Sequence, residues 1–153
     1  MNETIVSALQ REQANALVLY LNYKKYHWFT FGPLFRDVHL LFDEHATAVL
    51  DMVDELAERA FLIDGTSLGD PADYLPHATV RPSQGTLDLR AMVEEAVANH
   101  DVVIREMHVE AERATAAGDI GTADVYTRLV QVHQKQRWFA RELLVRRDGL
   151  LPN

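Results

Sequence analysis

The helical periodicity of this 153-residue chain is broken in a short, long, short pattern, which limits the possible folds more than any other feature. Apolar residues recur at about 100° per residue in four long stretches. Leu9, Ala16, Tyr20, Tyr23 and His27 share one face of the first, which ends near Trp28, before the Gly32-Pro33 pair. The second is expected from Leu34 to Ile63, with Gly65 as its stop. The third runs from Thr86 to Ala117 on Leu89, Met92, Ala96, Val103 and Met107, and Gly118 ends it. The fourth follows Thr122 as N-cap, uses Val125, Leu129, Val132, Phe139 and Leu143, and closes at Gly149.

Between the second and third stretches, residues 64–86 hold Pro71, Pro76 and Pro82 and are too long for a tight turn. A crossover carrying a short helix around Asp70–Leu75 accounts for them. The expectation is an all-α chain: one domain over residues 1–153, a four-helix bundle with that crossover between helices 2 and 3.

Composition excludes several classes of function. No cysteine is present, so disulfides, thiolate metal sites and cysteine nucleophiles are out. A formal net charge of -8 argues against a general grip on polyanions. The stretch Met1 to Gln13 is charged and lacks a signal-like apolar core. No uncharged apolar run approaches the roughly 18 residues of a membrane span. A soluble, cytoplasmic protein is expected.

The second helix carries the chemistry. Taking His39 as zero, Asp43 falls near 40°, Asp54 near 60° and Glu58 near 100°, so four potential metal ligands share one stripe. An acidic stripe is ordinarily a solvated helix face, but four such groups at this spacing ask for partners. His39 and Asp54 lie roughly 22 Å apart along the axis, beyond the reach of one metal centre. A second copy of the helix, antiparallel about a two-fold axis between Ala48 and Val49, removes the difficulty. His39 then faces the partner subunit's Glu58, and Asp43 faces the partner subunit's Asp54, giving two identical sites per dimer. Ala46 and Thr47, small residues on the same stripe, would let the backbones approach at the crossing. Imidazole with carboxylate favours iron, zinc or manganese. His27, at the end of the first helix, could add a further nitrogen.

The runs KKYHWFTFGPLF (24–35), VHLLFDEHATAVLDMVDELAER (38–59) and TADVYTRLVQVHQKQRWFARELL (122–144) resemble the Dps family of miniferritins, DNA-binding proteins from starved cells. The resemblance implies a ferritin-like bundle assembled as a homo-dodecamer with ferroxidase centres at two-fold interfaces. It implies iron ligands His27, His39 and Asp43 from one subunit, with Asp54 and Glu58 from its neighbour, and Trp28 beside the centre intercepting stray oxidising radicals. Fe(II) would be oxidised, preferentially by hydrogen peroxide rather than O2, and stored as ferric mineral, which protects DNA. Zn2+ is a competing ion. None of the seven histidines has a Glu three residues before it, so an intra-bundle di-iron centre is not expected.

Direct DNA binding is not expected either, since no basic tail is seen: Asn2 and Glu3 are not basic, and Arg146 and Arg147 are a weak phosphate grip. A nucleoid-compacting protein and a redox-silent zinc store are the competing readings. Glu44, Asp51 and Glu55 form a second acidic stripe suited to a mineral cavity. Asp119 and Asp124 suit either a helix N-terminus or a three-fold iron pore. His133 is a minor ligand candidate, expected at the bundle edge; His45, His77, His100 and His108 show no ligand spacing, and Trp138 reads as packing.

Overall fold

Every break in the apolar pattern becomes a helix end, though the capping residues are not always the expected ones. The computed structural model describes residues 2–146, with side chains from residue 5 onward. Its elements are α1 (Asn2–Phe29), α2 (Phe35–Leu62), α3 (Pro71–His77), α4 (Leu89–Ala116) and α5 (Ile120–Leu143), with no strand among the described residues. α1 pairs along α2 and α4 along α5; the two hairpins meet mainly through α1 against α4, while α2 and α5 touch least. The long crossover holding α3 joins the hairpins, as expected for an all-α, ferritin-like arrangement.

Local chemistry sets the ends. Thr30 closes α1 by donating both its N–H and its hydroxyl to the Tyr26 carbonyl, at 2.9 and 2.6 Å. Gly32, at φ 98°, then reverses the chain. At the end of α2 the left-handed position is taken by Asp64 (φ 62°), not Gly65. Gly65 is required by space instead, since a Cβ there would lie 2.3 Å from Val6 Cγ2. α4 begins at Leu89 rather than Thr86 because Asp88 caps it, accepting from the Ala91 N–H at 2.8 Å. Asp119, not Thr122, caps α5, accepting from the Thr122 N–H at 3.0 Å and its hydroxyl at 2.6 Å. Gly118, at φ 79°, turns the chain so tightly that the cap follows at once. α5 ends at Leu143; Gly149 and Arg147 lie outside the described residues.

The core runs the length of the bundle on Leu9, Leu19, Tyr23, Tyr26, Phe42, Leu56, Met92 and Met107, all essentially inaccessible. α1 is the central helix. It buries Leu9, Ala16 and Tyr23 as its stripe requires, and also Glu12, Gln13, Asn15, Val18 and Leu19 on other sides. The amide side chains of α1 satisfy the crossover backbone. Gln13 binds both the N–H and the carbonyl of Leu68, at 3.1 Å each. Asn15 accepts from the Thr79 and Val80 N–H groups at 2.8 and 3.1 Å, and Asn22 accepts from Ser83 at 2.8 Å. A segment without regular structure thereby keeps its polar groups paired.

His133 is not at the bundle edge. It is 1% exposed, with its Nδ1 3.0 Å from His100 Nδ1, and His100 Nε2 in turn is hydrogen-bonded to the Tyr23 hydroxyl. Burial lowers the affinity of both imidazoles for a proton, so the pair is neutral at pH 7.

Candidate metal centre

The turn 30–34 folds the last turn of α1 against the first turn of α2, so His27 and His39 meet. Their rings stack at 3.7 Å between centroids, with 13° between planes. Each Nδ1 bonds the other residue's backbone carbonyl, at 2.6 Å for His27 and 2.7 Å for His39. A carbonyl can only accept, so each Nδ1 carries a proton and Nε2 is left as the nitrogen available to a metal. Metal-binding histidines are oriented in this way. Phe35 stacks on His39 at 4.9 Å and limits ring rotation.

One turn further along α2, Asp43 accepts from the Lys24 ammonium at 2.7 Å. That hydrogen bond holds the Asp43 carboxyl below its usual range, with the nearby histidines adding to the effect. Lys24 also sits 5.6 Å from the Trp28 ring centroid, and Trp28 is 65% exposed. His27, His39, Asp43, Lys24 and Trp28 therefore form one contiguous surface. Lys24 escaped the sequence reading; its i,i+4 spacing to Trp28 was the available signal.

Asp54 and Glu58 are exposed further along α2, and neither forms a hydrogen bond or ion pair with the groups just described. Among the described residues of one chain, no three histidines or carboxylates converge as a metal site. Apolar side chains stand exposed along the α2 face that carries both groups: Leu40 beside the first, Leu50 between them and Phe61 beyond the second, each more than 40% exposed. Ala46 does not lie on that face: it is fully buried in its own core, and Thr47 and Leu50 occupy the middle of the stripe. Core-facing Val38, Phe42, Val49 and Leu56 draw Ala46 inward by sharing its side of the helix.

The acidic candidates divide. Glu44 and Asp51 are exposed, while Glu55 pairs with Arg128 at 2.5 Å. Asp119 is held by Arg59 at 2.7 Å besides capping α5, and Asp124 pairs with Arg128 at 2.9 Å. His133 bonds His100 inside the bundle rather than meeting the His27–His39 pair.

A four-helix bundle of this connectivity, with the long crossover between its two hairpins, is a ferritin-like arrangement. The chain matches the family described as Ferritin-like domain over residues 6–148. It is 62% identical to Dps from Thermosynechococcus elongatus, whose X-ray structure superposes with a TM-score of 0.96 over 98% of this chain and 96% of that one. It is 34% identical over 143 residues to DNA protection during starvation protein 1 of Deinococcus radiodurans, covering 93% of this chain and 69% of that protein. A Dps protein from Vibrio cholerae O1, described as a member of a broad superfamily of ferritin-like diiron-carboxylate proteins, is 26% identical. Its TM-score is 0.89, and the match covers 94% of this chain and 91% of that one. The chain belongs to the Dps family.

Proposed function

We propose that the protein is an iron-oxidising and iron-storing cage whose reactive centres are completed between two subunits. His27, His39 and Asp43 supply one half of each centre; Asp54 and Glu58 of the partner subunit supply the other. The reciprocal His27–His39 bonding carries this reading, because it fixes two imidazoles with their Nε2 atoms free before any metal arrives. The exposed apolar strip around Leu50 supports a helix-to-helix contact about a two-fold axis.

Iron is the substrate. Two Fe(II) ions and one hydrogen peroxide give two Fe(III) ions and two hydroxides, so both ingredients of hydroxyl-radical chemistry are consumed together. Carboxylates suit the harder Fe(III) product, and neutral imidazoles suit Fe(II). Trp28, exposed beside Asp43 and Lys24, is placed to give up an electron to a stray one-electron oxidant. Zn2+ competes for the same ligands. The assembly is a dodecamer, its interior receives the ferric product, and Glu44 and Asp51 are the carboxylates free to nucleate it. DNA protection, the role in the Deinococcus relative's name, then follows from removing iron and peroxide in the cytoplasm, without a direct grip on DNA. No described helix is long and apolar enough to cross a membrane.

The test mixes purified protein with Fe(II) anaerobically and then adds peroxide. Rapid ferric absorbance without hydroxyl-radical release is expected, and O2 in place of peroxide should act more slowly. His39→Ala should lower the initial rate at least about tenfold. Retained metal binding with no oxidation would leave only divalent-ion sequestration.

A further inference from the structure

Because α2 and α5 touch so little, a groove of about 630 Å3 opens between them. That lies within the usual range of small-molecule pockets. Ala48 is about 180° around α2 from His39, so the groove faces away from the stripe that carries the metal ligands.

Its walls combine an apolar floor with two unsatisfied polar atoms. Ala48, Val132 and Phe139 give the floor. His45 and Gln136, at 6% and 3% exposure, line the same space, and His45 Nδ1 and Gln136 Oε1 have no hydrogen-bond partner. The Gln136 Nε2 donates to the His45 carbonyl at 3.2 Å, which leaves Oε1 as the open end of the amide. Tyr23 meets the His45 ring edge-on at 5.2 Å between centroids and Phe139 lies at 6.2 Å, so the imidazole has little freedom to turn elsewhere. Burial and the charge of Lys135 push the His45 imidazole down to about 4, so it is neutral at pH 7.

Two orphan atoms of this kind ask for a particular group. Gln136 Oε1 can only accept, and a neutral His45 carrying its proton on Nδ1 can only donate there. A ligand hydroxyl, like a water molecule, donates and accepts through a single atom and can satisfy both. The rim adds a charge. Lys135 stands over the Phe139 ring, 5.8 Å from its centroid. No carboxylate ion pair engages it among the described residues, whereas Arg128 is already taken by Glu55 and Asp124.

We propose that the groove binds a small aromatic carboxylate bearing a ring hydroxyl. The ring lies on Ala48, Val132 and Phe139, the carboxylate meets Lys135, and the hydroxyl bridges Gln136 and His45. This inference rests on the groove alone and not on the iron reading.

The experiment uses the full-length, iron-free protein and equilibrium dialysis with 4-hydroxybenzoate, benzoate and phenol. Saturable binding of 4-hydroxybenzoate at one per chain is expected, at least about tenfold tighter than benzoate. Gln136→Leu should erase that preference while leaving benzoate unchanged. Lys135→Gln, a change of an exposed side chain, should weaken both carboxylates alike and spare phenol. Val132→Trp should fill the groove and remove all binding with the helical circular-dichroism signal intact. No saturable binding, no preference for the hydroxyl, or a preference that survives Gln136→Leu would overturn the proposal.

Discussion

At Glu12 burial and a second carboxylate act in the same direction. The side chain is 1% exposed and Glu106 lies beside it, so its carboxyl is pushed up to about 8 despite the Arg11 guanidinium 3.0 Å away. A folded-state value above the unfolded one, 4.5, means that the native state holds an extra proton between the two. Stability from this group is full below the lower value and is lost as pH rises toward the upper. Glu12→Gln keeps the shape without the charge, so it should melt higher than the wild type at pH 9 and no higher at pH 5. A relative gain on the order of 1–2 kcal/mol is expected at the higher pH. Parallel melting profiles across that range would refute the assignment. Nothing in the sequence marked Glu12 as unusual, because its neighbours Glu106 and Glu110 arrive from a helix about ninety residues away. His39 and Asp43 were readable because they share a helix turn. His100 and His133 were not, since their pairing depends on the approach of α4 to α5.

Helix ends were readable to within a turn except at α5, which stops at Leu143, six residues before Gly149, and the smaller misses have local causes. Glycine follows the ends of α1, α2 and α4, but at Gly65 the requirement is close packing against Val6 while Asp64 carries the left-handed backbone. Gly65→Ala should therefore destabilise the fold by about 1–2 kcal/mol through overpacking. Val6→Ala in the same chain should recover much of that loss, giving a coupling energy of at least about 0.5 kcal/mol in thermal melts. Additive effects would mean that the two side chains do not meet. Aspartate outcompeted threonine at the start of α5 because Asp119 also reaches Arg59, linking that helix to the end of α2. Asp119→Ala should accordingly cost about 2 kcal/mol. Asp124→Ala, whose pair with Arg128 is solvent-exposed, should change stability by less than about 1 kcal/mol. Equal losses at the two positions would remove the distinction between cap and surface pair.

Across the whole molecule, the shared stripe of His39, Asp43, Asp54 and Glu58 on α2 was legible because helix geometry converts spacing into angle without knowledge of any contact. Of the two small residues expected at the crossing, Ala46 is turned into the core, while Thr47 stays exposed on the stripe together with Leu50. The proposed two-fold makes an unusual demand, since neither chain of a pair would own a complete site. Consider one variant lacking His27, His39 and Asp43 and a second lacking Asp54 and Glu58. Each alone should be nearly inactive as a ferroxidase. When the two are unfolded, mixed in equal amounts and refolded together, half of the pairs combine both variants. Each such pair has one site with every ligand missing and one with every ligand present, so about one quarter of the wild-type rate should return. Native mass measurement must show that mixed assemblies have formed. If they form and no activity returns, the ligands do not come from two chains; if either variant is active alone, a single chain suffices. Recovery of about one quarter is the outcome that a shared centre requires, because a site contained within one chain cannot be repaired by its neighbour.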